Sequence, residues 1–379
     1  MLSNQRHLFD IPEEIAYFNC GYMGPLSKSV SEAGVKGVLQ KASPWKMTPQ
    51  DFFTNSDTLR KLFADLVNAS PTDIALIPSA SYGLAIAAKN IPLKEGQTIL
   101  VLEEQFPSNI YCWQERCKET GAKIVTVAAP VDRDWTSAVL EKIDSSVAVA
   151  ALPHNHWADG GLLDLVKIAA ELRKRDAKLV LDVTQSLGAM PLDVKAIQPD
   201  FLIVAAYKWL LGPYSVGMMY VSPENQQGSP IEHNWLNRAG SENFSGLVNY
   251  QDDYQNGAVR YDMGQRANFA LLPMAIASLA QILDWGVENI YANISQTNAT
   301  IAEAAASFGL QSAPTKYRAG HFLGLEKQGG FSSSLLGNLA SENIFVSHRG
   351  NSLRITPHVF NTEHDIDRLI DALSRFSGK

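Results

Sequence analysis

Short apolar runs alternate with polar, glycine-containing or helical segments through the first two thirds of the chain. The runs lie at 73–78, 98–102, 123–128, 147–152, 178–182, 201–206 and 215–221. A short, bounded apolar run is typical of a strand that is buried on both faces. Segments with helical periodicity separate the runs, as in 59–67, where Leu59, Leu62, Phe63 and Leu66 share one face. This alternation predicts a mostly parallel α/β sheet flanked by helices.

The pattern changes from about residue 268, where long helices begin that are broken near Gly286. Short strands and helices then alternate to the amphipathic segment 365–376. A chain of 379 residues is long for one core, so we expect two domains. The prediction is a large domain over 20–260 and a smaller α+β domain over 261–379, joined by residues 1–19.

The composition is that of an ordinary globular protein, with 46% hydrophobic and 19% charged residues and a net charge of −7. A net negative charge argues against a dedicated nucleic-acid partner, which requires a basic face. No apolar run approaches the roughly 20 residues of a membrane span, and residues 1–7 lack a signal pattern. The three cysteines, Cys20, Cys112 and Cys117, are too few for a disulfide framework or a zinc site. We therefore expect a cytoplasmic protein that binds neither membranes nor nucleic acid.

Lys208 follows the apolar run 201–206 and precedes Trp209, Leu210 and Leu211. Burying an unpaired ammonium is costly, so this lysine requires an explanation. Its side chain can extend along apolar surface to reach water. Alternatively, its amine has a lowered pKa and forms a Schiff base with an aldehyde. The stretch alone leaves both possibilities open.

Asp182 ends the apolar run 178–182 in the same way. Ligands of open parallel sheets bind beyond the carboxyl ends of the strands, so neighbouring strands would bring Asp182 and Lys208 to one crevice. Pyridoxal phosphate needs this pair: a lysine for its aldehyde and a carboxylate that keeps its pyridine nitrogen protonated. A single aspartate at a strand end can also simply cap a turn.

The residues Asp182-x-x-Gln185 and Ala-Tyr-Lys-x-x-x-Gly-Pro at 206–213 resemble the class V aminotransferase family of fold-type I pyridoxal phosphate enzymes. This family includes cysteine desulfurases, isopenicillin N epimerase-like proteins and kynureninase, and the resemblance extends from residue 17 to residue 370. It implies the fold-type I architecture, pyridoxal 5′-phosphate as cofactor and an amino acid as substrate. It also implies a homodimer with composite active sites.

The resemblance assigns roles around the cofactor ring. Lys208 would hold the cofactor as a Schiff base and move the proton at Cα, and Asp182 would tune the ring. Gln185 would bond the phenolic oxygen. Phe106 would stack on the ring, as in kynureninase-like members, whereas desulfurases use histidine there.

The phosphate is expected at the loop 79–83, which joins a strand to a helix. Small residues before a helix N-terminus leave free amides that bind anions, and Ala80 and Ser81 lie at that point. Tyr207 would reach the same phosphate, as in kynureninase. Gly264 and Gln265 would close the phosphate site of the neighbouring subunit.

Substrate contacts are expected from three residues. Arg354, in a segment that resembles the family's Arg-Ile-Ser-Pro-His motif except for Thr356, would clamp the α-carboxylate with its planar fork. Asn19 would lie near the same carboxylate, and Trp157 stands where desulfurases have asparagine. His154 and His156 are close enough in sequence to bind a metal, but no convincing third ligand lies near them in sequence, so no metal is predicted.

The same residues serve several reactions. The family favours an aminotransferase, with a Cα epimerase or a β-lyase as the alternative and a cofactor-binding sensor as the non-enzymatic one. Cysteine desulfurases carry sulfur on a cysteine of the C-terminal part, whereas here Cys117 is the last cysteine. We expect no persulfide-dependent desulfurase turnover, and Cys20 is the only thiol expected to reach the cavity.

Overall fold

The computed structural model describes residues 2–377. The apolar runs form one seven-stranded sheet in the order β2-β8-β7-β6-β5-β3-β4. Its strands are β2 Ile74–Ile77, β3 Thr98–Leu102, β4 Lys123–Val127, β5 Val147–Pro153, β6 Lys178–Asp182, β7 Phe201–Ala205 and β8 Gly217–Val221. The strands from β7 to β4 are parallel, and β8 is antiparallel to both of its neighbours. The predicted mostly parallel sheet is therefore confirmed.

Both faces of this sheet are covered, as the apolar runs require. On β7, Leu202 and Val204 belong to one core cluster and Phe201 and Ile203 to another, so that alternate residues face opposite layers. The helices packed around the sheet are α1 Lys28–Lys41, α2 Thr54–Val67, α3 Ala80–Asn90, α4 Ser108–Thr120, α5 Trp135–Lys142, α6 Leu165–Arg173, α7 Val194–Ile197 and α8 Leu271–Trp285.

The C-terminal part has its own antiparallel sheet and core. Strands β9 Leu310–Gln311, β10 Leu323–Lys327, β12 Ser347–Arg349 and β13 Ser352–Ile355 pair in the order β12-β13-β10-β9. Helices α9 Val287–Ser307, α10 Leu335–Ser341 and α11 Glu363–Ser377 accompany them. The core of this part includes Phe18, Leu323, Leu353 and Leu369.

The N-terminal segment packs with this C-terminal part. Strand β1 Ala16–Tyr17 pairs in parallel with β11 Ile344–Phe345, and Asn19 forms a bridge with Thr356. Helix α8, which follows residue 261, packs against α1 and α2 of the first part. The domain boundary near residue 260 stays a prediction. None of the helices in 2–377 has the length and apolar character needed to cross a membrane.

Candidate active site

Lys208 lies just beyond β7 and is 6% exposed. Its Nζ lies 5.5 Å from the centre of the Phe106 ring and 5.6 Å from that of Tyr207. Within residues 2–377 no carboxylate lies within 4 Å of this amine. Burial, with help from Arg354, lowers the pKa of Lys208 to about 8, although Asp182 opposes the shift. A buried amine that is partly deprotonated near neutral pH is suited to attack an aldehyde.

Asp182 ends the strand next to Lys208, because β6 pairs with β7 in a register that sets Asp182 opposite Ile203. Its carboxylate accepts a hydrogen bond from the Thr184 amide at 3.0 Å. Burial raises the pKa of Asp182, while Thr184 and the charge of Lys208 oppose that rise. A buried carboxylate of this kind gains from a protonated nitrogen beside it.

A cavity of about 260 Å³ lies at the carboxyl ends of these strands. It brings together eight of the residues singled out from the sequence: Ala80, Ser81, Phe106, Trp157, Asp182, Gln185, Tyr207 and Lys208. Four others, Asn19, Gly264, Gln265 and Arg354, are not among the described residues that line it. The individual roles given to all of them stay predictions.

The start of α3 forms one end of the cavity. Ser79 caps the helix by accepting from the Tyr82 amide at 3.2 Å, and its hydroxyl lies 2.9 Å from that of Ser81. The amides of Ala80 and Ser81 have no acceptor among the described residues. Free amides at a helix N-terminus, together with hydroxyl groups, provide the donors that a phosphate group needs.

Two aromatic side chains, Phe106 and Trp157, also line the cavity. Phe106 and Trp157 meet edge to face, with ring centres 5.4 Å apart and planes at 81°. The indole nitrogen of Trp157 donates to the Glu104 carbonyl oxygen at 2.6 Å. Glu104 has a φ of +51°, a conformation that is uncommon for a residue with a side chain. This anchor holds the indole ring in place beside Phe106.

Gln185 lies on the cavity wall with its side-chain amide already bonded. Its Nε2 donates to the Gly21 carbonyl oxygen at 2.9 Å, and its Oε1 accepts from the Trp209 indole at 3.1 Å. One N–H of the amide is left for a ligand. The predicted bond to the phenolic oxygen of the cofactor can use only that hydrogen.

Arg354 is 2% exposed, and none of the described carboxylates lies within 4 Å of its guanidinium. It donates to the Ser347 hydroxyl at 2.9 Å and to the Trp157 carbonyl oxygen at 3.0 Å. Burial, with the neighbouring Arg349, lowers the pKa of Arg354 to about 10. By contrast, the buried Arg266 is paired with Asp262 at 3.0 Å. A buried arginine without a carboxylate partner is suited to bind an anionic ligand.

Asn19 and the turn at Gly264 lie outside the cavity wall. The buried Asn19 Oδ1 has no hydrogen-bond partner in the described structure. The Gly264 amide donates to the Glu232 carboxylate at 2.6 Å, within its own chain. Gln265 has a φ of +56° at the tip of the turn. Neither residue of this turn is among the described residues that line the cavity, so its contact with a cofactor stays a prediction.

Two cavity residues did not emerge from the sequence. Asn109 and Asn155 line the cavity, are each 1% exposed, and have one unpartnered polar atom, Nδ2 and Oδ1 respectively. Asn155 lies between the two histidines that suggested a metal, and strict alternation along the extended segment 153–157 would have placed it on the same side as Trp157. Asn109 follows Phe106 by three residues and shows no pattern of its own.

The two histidines have different surroundings. The His156 ring contacts the Asp159 carboxylate at 3.1 Å and the Glu103 carbonyl oxygen at 3.1 Å. The buried His154 Nδ1 has no hydrogen-bond partner in the described structure, and burial lowers the pKa of His154 to about 3. In the part of the chain that the structure describes, no cluster of ligands suits a metal ion.

The donor set fits pyridoxal 5′-phosphate in each of its chemical parts. Lys208 offers an amine to the aldehyde, Asp182 offers a carboxylate to the ring nitrogen, and the N-terminus of α3 offers amides to the phosphate. The unpartnered polar atoms of Asn109 and Asn155 also line this cavity, which indicates that it is built for a polar ligand.

Known proteins resemble the chain over most of its length. The family model for aminotransferase class-V matches residues 46–369. An uncharacterized aminotransferase, YcbU, of Bacillus subtilis is 26% identical over 92% of this chain and 90% of its own length. A kynureninase of Bacillus cereus is 26% identical over 70% of this chain and 61% of its own. An isopenicillin N epimerase of Amycolatopsis lactamdurans is 23% identical, over 64% and 63% respectively.

Solved structures confirm the fold. The cystine C–S lyase C-DES superposes with a TM-score of 0.86 at 19% identity, over 96% of this chain and 98% of that one. A cysteine desulfurase of Thermococcus onnurineus superposes with a TM-score of 0.82 at 18% identity, over the whole of both chains. The expected fold-type I architecture is thus correct. The chain belongs to the aminotransferase class-V family, whose members are enzymes that use pyridoxal 5′-phosphate.

Proposed function

We propose that the protein acts at the Cα of an amino acid and that its reaction is transamination, which the family and the relative YcbU favour. One observation carries the proposal. Lys208 is buried at the end of β7 with a lowered pKa, and it shares a cavity with Asp182 at the end of β6. A lysine that merely extended to water would keep its ordinary pKa.

Bound pyridoxal phosphate supplies an aldehyde that condenses with amines and a ring that withdraws electrons from Cα. Lys208 would hold the cofactor aldehyde through Nζ until the substrate amine replaces it, and the freed amine would then carry the proton at Cα. Asp182 would keep the ring nitrogen protonated, and that contact would stabilise the buried charge of Asp182. Tyr207, which lies beside Lys208 on the cavity wall, would offer its hydroxyl to the phosphate.

Substrate orientation is assigned to Arg354 and to Trp157. The free Nη2 of Arg354 has no partner among residues 2–377, and its Nη1 bond to the Trp157 carbonyl fixes the fork. The guanidinium lies 5.7 Å from the Trp157 ring centre, so the two residues border the same region. Asn19, bridged to Thr356 near the end of β13, is assigned to the same carboxylate.

We propose further that the working unit is a homodimer. Apolar side chains stand exposed on α1, where Val35 is 60%, Val38 61% and Leu39 63% exposed. A contiguous apolar surface of this kind is typical of an interface. In the dimer, Gly264 and Gln265 would reach the neighbouring phosphate site. A cytoplasmic location is proposed as well, in keeping with the three free cysteines.

Assembly is tested by mixing two inactive variants. Lys208→Ala removes the lysine of one site, and Gln265→Ala removes the contact to the other. Recovery of activity in the mixture, above that of either variant alone, supports composite sites. Full activity of a monomer in sedimentation at assay concentration contradicts them.

The reaction is tested by product analysis on a panel of amino acids, with and without pyruvate as amino-group acceptor. Transamination gives a 2-oxo acid from the donor and alanine from pyruvate in equal amounts. Inversion at Cα without acceptor indicates an epimerase, and release of pyruvate and ammonia without acceptor indicates a β-lyase. Either result contradicts transamination. Cofactor binding without any turnover would indicate a sensor and would contradict the enzyme proposal. The Lys208→Ala variant is the blank.

A further inference from the structure

A series of hydrogen bonds connects Gln185 with Trp209 on one side of its amide and with Gly21 and Thr356 on the other. The Trp209 indole N–H donates to Gln185 Oε1 at 3.1 Å, and Gln185 Nε2 donates to the Gly21 carbonyl at 2.9 Å. The Gly21 amide donates to Thr356 Oγ1 at 3.0 Å, and this hydroxyl donates to the Phe18 carbonyl at 3.1 Å. These bonds link three segments that are far apart in the sequence.

The orientation of the Gln185 amide follows from the chemistry of its partners. An indole nitrogen can only donate a hydrogen bond, and a backbone carbonyl can only accept one. The atom facing Trp209 is therefore the oxygen, and the atom facing Gly21 is the nitrogen. A flipped amide would lose both bonds. Because Nε2 carries two hydrogens, one N–H remains, on a residue that lines the cavity.

The backbone of Gln185 is held as well. His321 Nε2 lies 2.7 Å from the Gln185 carbonyl oxygen, so this ring nitrogen carries the hydrogen. Burial lowers the pKa of His321 to about 4, which keeps the ring neutral. The same ring packs edge-on against Trp209, with centres 4.7 Å apart. Hydrogen bonds thus hold both the side chain and the main chain of Gln185 in place.

Two residues of this hydrogen-bond series are close in sequence to residues that have proposed roles at the site. Trp209 directly follows Lys208, and Thr356 lies two residues after Arg354. A Cβ at residue 21 would lie 3.0 Å from Thr356 Cγ2, so Thr356 would have to move by a few tenths of an ångström to admit a side chain there. The close approach of residue 21 to Thr356 therefore favours glycine.

We propose that Trp209, Gly21 and Thr356 are positioning residues that direct the remaining Gln185 N–H toward the phenolic oxygen of the bound cofactor. The inference rests on the proposed function, since it needs pyridoxal phosphate in the cavity. None of the three touches the reacting atoms. Donation to the phenolic oxygen stabilises negative charge on it, and this charge otherwise holds a proton on Lys208 Nζ. A well-placed Gln185 therefore lowers the pKa of that nitrogen in the cofactor-loaded protein.

Other groups also act on Lys208 Nζ and stay constant in the test. Asp182 raises its pKa, Arg354 and Arg349 lower it, and the hydroxyl of Tyr207 lies on the same wall. Substitutions at Trp209 or Thr356 leave these groups in place. A shift in the titration then reports on the Gln185 bond.

The test is an absorbance titration of the cofactor-loaded protein against pH. We expect Trp209→Phe to raise the observed pKa by about half a unit to one unit, the effect of one lost hydrogen bond. Trp285→Phe is the matched control and should titrate like the wild type, because Trp285 is another buried tryptophan that packs on His358, as Trp209 does, and is not a hydrogen-bond partner of Gln185. Thr356→Val should shift the pKa in the same direction as Trp209→Phe, and Thr356→Ser should restore it.

A double substitution shows whether the effect passes through Gln185. In a Gln185→Ala background, Trp209→Phe should add no further shift. An additional shift there, or a Trp209→Phe pKa equal to that of the wild type, overturns the inference. If Trp209→Phe does not fold, the Thr356→Val and Thr356→Ser pair decides alone. Wild-type protein that binds no cofactor would refute the proposed function instead, so the two failures are distinguishable.

Discussion

Asp182 ends β6, Lys208 follows the end of the adjacent parallel strand β7 by three residues, and both line one cavity. Each acts on the pKa of the other. Asp182 raises the pKa of Lys208, and Lys208 lowers that of Asp182, while burial pushes each group the opposite way. Both charges are thus held in a place that disfavours them. A ligand that bonds covalently to the Lys208 amine and places a protonated nitrogen beside the Asp182 carboxylate lowers the cost of burying both groups.

Asp182→Asn should retain the shape of the cavity and lose the charge. We expect cofactor binding to weaken modestly and turnover to fall by more than about a hundredfold, because the ring nitrogen is no longer kept protonated. Cofactor dissociation constants and kcat, measured on the same preparation, separate the two effects. Asp182→Glu keeps the charge and serves as the comparison. Wild-type turnover in Asp182→Asn would mean that this carboxylate only caps its turn.

Arg354→Ala should raise KM sharply and lower turnover, because the substrate carboxylate loses its partner. Arg354→Lys keeps the charge and loses the fork, so it should recover only part of about 1–3 kcal/mol. Steady-state kinetics with the best substrate from the panel measure this. Arg6→Ala, at a half-buried arginine paired with Asp365, is the control for the loss of an arginine elsewhere. Unchanged kinetics would place the carboxylate site elsewhere, with Arg318 and Arg349 as candidates.

Stability should fall steeply in acid because of buried neutral histidines. Burial lowers the pKa of His154 and His358 to about 3 and that of His321 to about 4, from 6.5. The unfolded chain therefore binds more protons than the folded chain below pH 6.5. The stabilisation is fully present above that pH and is lost as the pH falls toward 4, at about 1.4 kcal/mol per pKa unit for each histidine.

Denaturant unfolding at several pH values measures this slope. His358→Phe should reduce it, since His358 stacks on Phe360 in a site that accepts an aromatic ring. His7→Asn, at an exposed histidine, should leave it unchanged. Stability that is flat between pH 6.5 and 4 would show that the buried histidines do not govern acid unfolding.

Sulfur transfer through a cysteine persulfide should be absent. The sequence suggested that Cys20 reaches the cavity, but Cys20 is 0% exposed and is not among the described residues that line the cavity, so that interpretation is wrong. Burial raises the pKa of this thiol and keeps it protonated. With cysteine and a thiol reductant we expect no stoichiometric alanine, or alanine that is unaffected by Cys20→Ser. Alanine that disappears in Cys20→Ser would contradict this, whereas sulfide with pyruvate would indicate simple β-elimination.

Local sequence was sufficient for the sheet and for the positions of Asp182 and Lys208, whereas Phe106, Trp157, Gln185 and Tyr207 were assigned through the resemblance to the class V aminotransferase family. The run 201–206 has alternate residues in opposite cores, as Leu202 and Ile203 show, and such strands appear as continuous apolar runs. Residues at the carboxyl ends of these strands then meet by geometry alone, as Asp182 and Lys208 do. The adjacency of β6 and β7 in the sheet brings these two residues together. A parallel α/β pattern predicts that the carboxyl ends of the strands lie at one edge of the sheet.

Features that depend on packing between distant segments could not be predicted. The bonds from Gln185 to Gly21 and from Gly21 to Thr356 join residues 164 and 335 positions apart. The burial of Cys20 has the same origin, because the segment that contains it forms a bridge, from Asn19 to Thr356, with a part of the chain far away in the sequence. No periodicity within one segment carries such information.

The most direct measurement concerns the proposal that Lys208 Nζ holds the cofactor. Purified protein is loaded with pyridoxal phosphate, reduced with borohydride, digested and mapped by mass spectrometry. We expect a single pyridoxyl label, on the peptide that contains Lys208, and no label in Lys208→Ala. Lys178, the other lysine at an end of a central strand, pairs with Asp200 at 3.0 Å and should stay unmodified. A stoichiometric label on any lysine other than Lys208, or none at all, would contradict the role proposed for Lys208.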